Sequence, residues 1–244
     1  MTKSVAFIPL RAGGTRIGEI DGMDKERAKL GKYPLMSYTI RWAIDSGVFD
    51  DVIAIVRSPD HRVMAEEYGA SVPFQRPIHT VRDGSPDIEW VYWALKELNW
   101  EYDIYSILRV TSPFRTSKDI RTAYTYFRYG GFDSLRTITL VDQHPAKMWV
   151  IRQDTLLPLL PMGPESNPWH SNPTQNSFET YIQTAGMEIA DVEMTENTKT
   201  IAGSRVMPYV VEGLAALDIN TKFDWYKAEQ AIEHELAPIP RSLK

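Results

Sequence analysis

The chain has 244 residues, 43% hydrophobic and 24% charged, with a net charge of −5. This is the composition of a globular protein with a substantial core, and it has no block of like charge that would offer a broad nucleic-acid surface, although a local basic pocket is allowed. The lack of cysteine excludes disulfides and thiolate metal sites, and no apolar stretch has the length of a membrane span, so a cytoplasmic protein that engages neither membrane nor nucleic acid is expected.

Ser4 to Leu10 is a short continuous apolar run ended by a glycine-rich turn, which predicts a buried strand. Leu35, Met36, Ile40, Ala43 and Ile44 share one face of a helix over 35–46, closed by Gly47. Asp51 to Val56 reads as a second strand, and His61 to Tyr68 as a short helix stopped by Gly69. Pro86 to Leu98 carries Ile88, Val91, Ala94, Leu95 and Leu98 at helical spacing. A third strand follows at Ile104 to Leu108. A helix over 116–129, capped by Thr116 or Ser117, ends at Gly130 and Gly131. Ser134 to Val141 is another strand. Between Gln143 and Gln183 six prolines interrupt the pattern. Met148, Trp149, Val150, Ile151, Leu156, Leu157, Leu159 and Leu160 nevertheless mark this stretch as a folded excursion, and apolar residues on an excursion often form a subunit interface. The pattern returns with a strand at Val206 to Val211 and a helix at Thr221 to His234. Strands alternating with helices argue for a mostly parallel sheet covered on both faces.

Ligands of such sheets collect where strands end. The first strand runs into Arg11, Gly13, Gly14, Thr15 and Arg16. Glycines let backbone N–H groups approach oxygens closely, and arginines add charge-assisted donors, so this loop suits a polyphosphate. A tight surface turn with solvated arginines fits the same residues. Neither GxxxxGK[ST] nor GxGxxG occurs in the loop, which disfavours a P-loop NTPase and a nicotinamide-binding protein.

From Ile8 the chain resembles the cytidylyltransferases that activate nonulosonic acids, whose opening is close to IPARGGSKRIPxKNIxxLxGKPLI. Ile8-Pro9-Leu10-Arg11 matches the start, and Gly13-Gly14-Thr15-Arg16-Ile17 stands for the glycine-rich portion. Leu30 and Lys25 align with the family leucine and lysine. Glu26 stands where asparagine is usual, and the loop from Gly18 to Asp24 is longer than the pattern. The resemblance continues in order through SGVFDDVIAIVRSPD, YGASVPFQRPIHTVRDGSPDIEWVYWAL, ILRVTSPFRTSKDI, HPAKMWVI and DINTKFDW.

The resemblance implies a three-layer α/β/α sandwich with a mostly parallel, Rossmann-like sheet. One domain would span 1–244, with 142–185 as a dimerisation and sugar-side excursion of a homodimer. The implied reaction transfers CMP from CTP to the anomeric hydroxyl of a sialic-acid-like α-keto sugar acid and releases pyrophosphate, with Mg²⁺. Positioning and electrostatics would carry such a reaction, with no nucleophile on the protein. Arg11, Arg16 and Lys25 are the candidates for the triphosphate; three solvated loop charges are the plain alternative. Arg76, Asp83 and Ser85 would shape the cytidine pocket, unless Arg76 and Asp83 form only a surface ion pair. Thr111 and Ser112 either orient substrate or cap the next helix. Arg109 replaces a family glutamine that faces the sugar acid; it either meets the substrate carboxylate or abolishes that contact. Asp218 is the main metal candidate, with Asn220 in place of the family's second carboxylate. Asp224 suits the first turn of a helix better than a metal. His144, Lys147 and Trp149 fit either the sugar side or interface packing. Thr184 and Glu188 replace asparagine and tyrosine near the sugar, which points away from ordinary sialic acid. His170 is assigned no chemistry. Two rivals stand beside this reading: a sugar-1-phosphate nucleotidyltransferase, and a nucleotide- or sugar-binding protein that has lost catalysis.

Overall fold

The computed structural model describes residues 2–11, 17–82, 84–174 and 177–243. Strand β1 (Ser4–Pro9) leads to two small hairpins, β2 (Glu19–Ile20) with β3 (Met23–Asp24), and β4 (Lys29–Leu30) with β5 (Tyr33–Pro34). The lengthened loop is therefore a hairpin. Asp21 and Gly22 turn it with φ of 51° and 74°, the positive values that a two-residue hairpin turn demands. Helix α1 (Leu35–Ser46) follows at once and ends on Gly47 in the left-handed region. Strand β6 (Asp51–Ile55) and helix α2 (Pro59–Glu67) come next, α2 capped by the Ser58 side chain. Helix α3 (Asp87–Glu97) precedes β7 (Ile104–Ile107). Helix α4 (Ser117–Gly130) opens with a reciprocal capping box between Thr116 and Asp119. Strand β8 (Ser134–Leu140) leads into the exposed hairpin β9 (Trp149–Arg152) and β10 (Thr155–Pro158). Then come β11 (Tyr181–Asp191), α5 (Val192–Thr198), β12 (Val206–Val210) and α6 (Lys222–Glu233).

The main sheet has the order β12-β8-β11-β7-β1-β6. β11 pairs antiparallel with both β7 and β8, while the other pairings are parallel. Side chains of β1 alternate between the two faces. Ala6 and Ile8 pack with residues of α1, α4 and α6, whereas Val5 and Phe7 pack with Trp90, Val91, Ala94 and Leu95 of α3. The sheet is thus covered on both sides, as a run of strands without polar alternation requires.

One element departs from the sequence reading. β11 occupies the middle of the sheet and takes up the last residues of the expected 142–185 excursion. Its strand pattern is masked by a register shift between Gln183 and Glu188 and by a buried glutamate, Glu188, where an apolar side chain would be expected. In the preceding part of this stretch Trp149, Ile151, Leu156, Leu157 and Leu159 are exposed.

The chain order around β1 positions the site. From β1 the chain passes through α1 to β6 on one side, then through α3 on the opposite face to β7 on the other side of β1. The crevice between the carboxyl ends of β1 and β7 is the switch point at which open α/β sheets bind ligands.

Candidate active site

A cavity of about 390 Å³ opens at that crevice. β1 contributes Pro9 and the following Arg11; the end of β7 contributes Arg109, Val110 and Thr111. The hairpin segment adds Ile17, Lys25 and Glu26, the stretch before α3 adds Arg76, Thr80, Arg82 and Ser85, the first residue of α3 adds Asp87, and Ala185, Asp218 and Asn220 close the wall. Among the described residues five cationic side chains thus line one cavity, in a chain of net negative charge. Such a concentration is suited to a polyanion.

Lys25 is nearly buried, and its Nζ donates to the Ile219 carbonyl at 3.2 Å, which ties the first loop to the segment bearing Asp218. Arg76 is 5% exposed. Its Nε donates to Thr80 Oγ1 at 3.1 Å and its Nη2 to the Thr80 carbonyl, and the guanidinium lies over the Trp90 ring at 5.3 Å. Burial pulls its pKa down to about 10, helped by the positive charges of Arg11 and Arg109 and opposed by Asp87. A negatively charged ligand would relieve that repulsion.

Arg109 has the densest surroundings. Its Nη2 donates to Asp87 Oδ2 at 2.6 Å and to Glu188 Oε1, and the second Glu188 oxygen pairs with Arg136. Burial opposes its charge, but Glu188 and Asp87 outweigh burial and hold its pKa above the ordinary arginine value. Two departures from the family pattern, Arg109 and Glu188, are therefore partners in one ion pair. Arg115, almost wholly buried, donates through Nη2 to Thr39 Oγ1 at 2.8 Å and to the Arg109 carbonyl at 2.7 Å, and so fixes the loop after β7 against α1.

Asp218 Oδ2 accepts from Asn220 Nδ2, while Asp218 Oδ1 is buried without a hydrogen-bond partner among the described residues. An orphaned carboxylate oxygen on the cavity wall fits a cation. Asp224 lies elsewhere in role: it forms a capping box with Thr221 at the start of α6. Asp24, Glu26 and His61 bring ligand atoms within 4.8 Å of one another. Arg27 and His61 already take the two oxygens of Asp24, at 2.6 and 3.0 Å, so this trio is a hydrogen-bonded cluster and not a cation cage. Burial disfavours the Asp24 anion, yet these two donors overcome it and hold its pKa far below the carboxylate range. Glu26 goes the other way: burial, reinforced by the Asp24 charge and opposed by Lys25, pushes it up to about 7.

The structure thus brings Arg11, Lys25, Arg76, Ser85, Arg109, Thr111, Asp218 and Asn220 to one cavity. Ser112 is buried but does not line it. Neither Thr111 nor Ser112 caps α4, because Thr116 does so. Gly13, Gly14, Thr15, Arg16 and Asp83 lie outside the described residues. His144 packs on Phe178 and bonds Thr180, Lys147 Nζ donates to the His170 carbonyl at 2.8 Å, and Trp149 rests on His170; none of the three lines the cavity. Thr184 donates to Thr137 Oγ1 at 2.8 Å inside the sheet, and its neighbour Ala185 reaches the wall. Sequence reasoning missed Arg82 and Asp87. Asp87 reads there as an ordinary first-turn acid of α3, and no local signal ties it to Arg109, 22 positions on.

The architecture is an α/β nucleotidyltransferase fold. A solved CMP:2-keto-3-deoxy-manno-octonic acid synthetase complexed with CTP superposes with a TM-score of 0.68 at 13% identity, covering 96% of this chain and 100% of that one. A 4-diphosphocytidyl-2C-methyl-D-erythritol synthase from Anaerococcus prevotii gives 0.63 at 13% identity, over 95% and 99% of the two chains.

In sequence the chain is similar to curated cytidylyltransferases of nonulosonic acids, as its motifs indicated. It is 27% identical over 227 residues to the N-acylneuraminate cytidylyltransferase of Escherichia coli, covering 92% of this chain and 51% of that protein. It is 25% identical over 236 residues to the CMP-N,N'-diacetyllegionaminic acid synthase of Legionella pneumophila, covering 94% and 96%. It is 34% identical over 130 residues to the pseudaminic acid cytidylyltransferase of Campylobacter jejuni, covering 51% and 53%. The chain spans about half the length of the N-acylneuraminate relatives it matches. No family model matches.

Proposed function

We propose that this chain transfers CMP from CTP to the anomeric hydroxyl of a sialic-acid-like α-keto sugar acid. The anomeric oxygen attacks the α-phosphorus, and the bond from that phosphorus to the bridging oxygen breaks, releasing pyrophosphate. One observation carries the reading: Arg11, Lys25, Arg76, Arg82 and Asp218 line one cavity at the carboxyl ends of β1 and β7. Arg11 and Lys25 would bind the triphosphate and oppose the charge that grows on the leaving pyrophosphate. Arg76, fixed by Thr80 and Trp90, would present its guanidinium to the nucleoside. A magnesium ion carried with the nucleotide would be held by Asp218, with Asn220 beside it, and supplies charge neutralisation at the phosphates. Arg109, Asp87 and Glu188 would stand at the sugar end as a preassembled charged cluster, and the acid activated would then differ in its substituents from ordinary sialic acid.

The same proposal takes residues 1–244 as one cytidylyltransferase unit, in the cytoplasm where CTP is made. No helix among the described residues is long and apolar enough to cross a membrane. The exposed β9–β10 hairpin, where Leu156 faces Ile151 across the strands, would seat a second copy of the chain. Ile151→Asp is expected to leave a monomer by sedimentation equilibrium; a wild-type chain that is monomeric at micromolar concentration would refute the dimer.

The decisive assay incubates the protein with CTP, Mg²⁺ and a panel of nine-carbon α-keto acids and measures pyrophosphate. Release with one of the acids is expected. Release only with a hexose 1-phosphate would move the assignment to the sugar-1-phosphate enzymes, and CTP binding without release would mark a chain that has lost catalysis.

A further inference from the structure

Glu26 is the one acidic side chain of the first loop on the cavity wall. It is 5% exposed, and its Oε2 is buried with no hydrogen-bond partner among the described residues. Such an oxygen on a ligand cavity is a group whose partner is absent. As an anion it would sit unsolvated beside the Asp24 carboxylate, at the place where a nucleotide brings more negative charge. As a neutral acid it is a donor, and nucleotide oxygens are acceptors.

We propose that Glu26 binds the nucleotide as a neutral carboxylic acid, donating its O–H to an oxygen of the ligand, so that above neutral pH nucleotide and one proton enter the site together. This rests on the nucleotide reading of the cavity. Burial favours that state and outweighs both Lys25 and the Glu26 backbone N–H, which favour the anion. Asp24 opposes ionisation and Lys25 favours it. His61 and Arg27 are bound to Asp24, and Arg27 also pairs with Asp60, so their influence is spent largely on those anions. Arg11, Arg76, Arg82 and Arg109 line the same cavity with Asp87 and Asp218; a bound polyphosphate would take up the arginines' charge and leave Glu26 beside anions. Burial already pushes the pKa of the free side chain up to about 7, and ligand charge would move it higher. The glutamate thereby offers the donor and acceptor pair that an amide would offer, while adding a dependence on pH.

The test is titration calorimetry of the full chain with CTP and Mg²⁺, in buffers of different ionisation enthalpy, between pH 7.5 and 8.5. CTP is fully ionised over this range and adds no slope of its own. The wild type is expected to take up about one proton more than Glu26→Gln at pH 8, and its affinity to fall about eightfold from pH 7.5 to 8.5 while that of Glu26→Gln changes less than about twofold. Equal proton counts in the two proteins would overturn the inference while leaving the nucleotide reading intact. Should Glu26→Gln fail to fold, the wild type alone decides: a flat plot of log Kd against pH overturns the proposal. The absence of any CTP binding by the wild type would remove the nucleotide reading, and this inference with it.

Discussion

Glu188 is 4% exposed at the side chain, accepts from Arg109 and is ion-paired with Arg136, and these two arginines are themselves only 26% and 11% exposed. Glu188→Gln keeps the volume and removes the charge, which leaves both arginines short of an anion inside the sheet. Arg109 retains Asp87, and Arg136 retains the Ile201 carbonyl, so the loss is below the extreme for a stranded buried charge. We expect about 3 kcal/mol of destabilisation, which for a chain of this size lowers Tm by about 6–12 °C. Arg109→Gln alone should cost less, because Glu188 keeps Arg136. The informative measurement is the double variant. If the two side chains act as a pair, Arg109→Gln with Glu188→Gln should be destabilised by at least about 1 kcal/mol less than the sum of the single changes. Chemical denaturation of the four proteins provides the cycle. Additivity within about 0.5 kcal/mol would show that the pair is not coupled and that the two departures from the family pattern are independent.

Three further outcomes follow from the site. Arg11→Ala should lower turnover at least tenfold, since about 1.4 kcal/mol of transition-state stabilisation is one decade; unchanged turnover in the pyrophosphate assay would take Arg11 off the triphosphate. Asp218→Asn should raise the Mg²⁺ concentration needed for half-maximal activity sharply, and an unaltered metal titration would remove Asp218 from the cation site. Stability itself should depend on pH through Glu26. Its native pKa of about 7 lies above the ordinary 4.5, so the stability it lends is complete below the lower value and is lost as pH rises through the upper one, about 3 kcal/mol in all. Glu26→Gln should therefore be more stable than the wild type at pH 8 by urea denaturation, with the advantage gone near pH 4.5; parallel stability curves would contradict the raised pKa. Asp24 carries the opposite sign, because its native pKa is depressed and its contribution disappears only in strong acid.

Much of the scaffold is legible in the chain because its causes are local. Helix α1 runs from Leu35 to Ser46 as its apolar spacing and Gly47 indicate, and Thr116, one of the two capping residues that the chain offers, starts α4. The apolar runs at β1, β6 and β7 read as strands without any knowledge of their neighbours. β11 was not legible, since its alternation is broken at Gly186 and Glu188, and what makes it a strand is the pairing offered by β7 and β8 on either side. The loop from Gly18 to Asp24 reads as a lengthened connection; only its backbone shows the hairpin.

The site divides in the same way. Residue types at strand ends and motif order mark Arg11, Lys25, Arg76, Arg109 and Asp218 individually, because such groups gather where a parallel sheet opens. Their charge states belong to the tertiary structure. Glu26 and Asp24, two positions apart, have pKa values displaced in opposite directions, since burial dominates at one and the other is held by Arg27 and His61. Arg109 and Glu188, 79 positions apart, meet only across the β7–β11 pairing. Periodicity and turn chemistry act over a few residues and are written in the chain; desolvation and ion pairing depend on which distant groups share a small volume, and that is set when the sheet closes around β1.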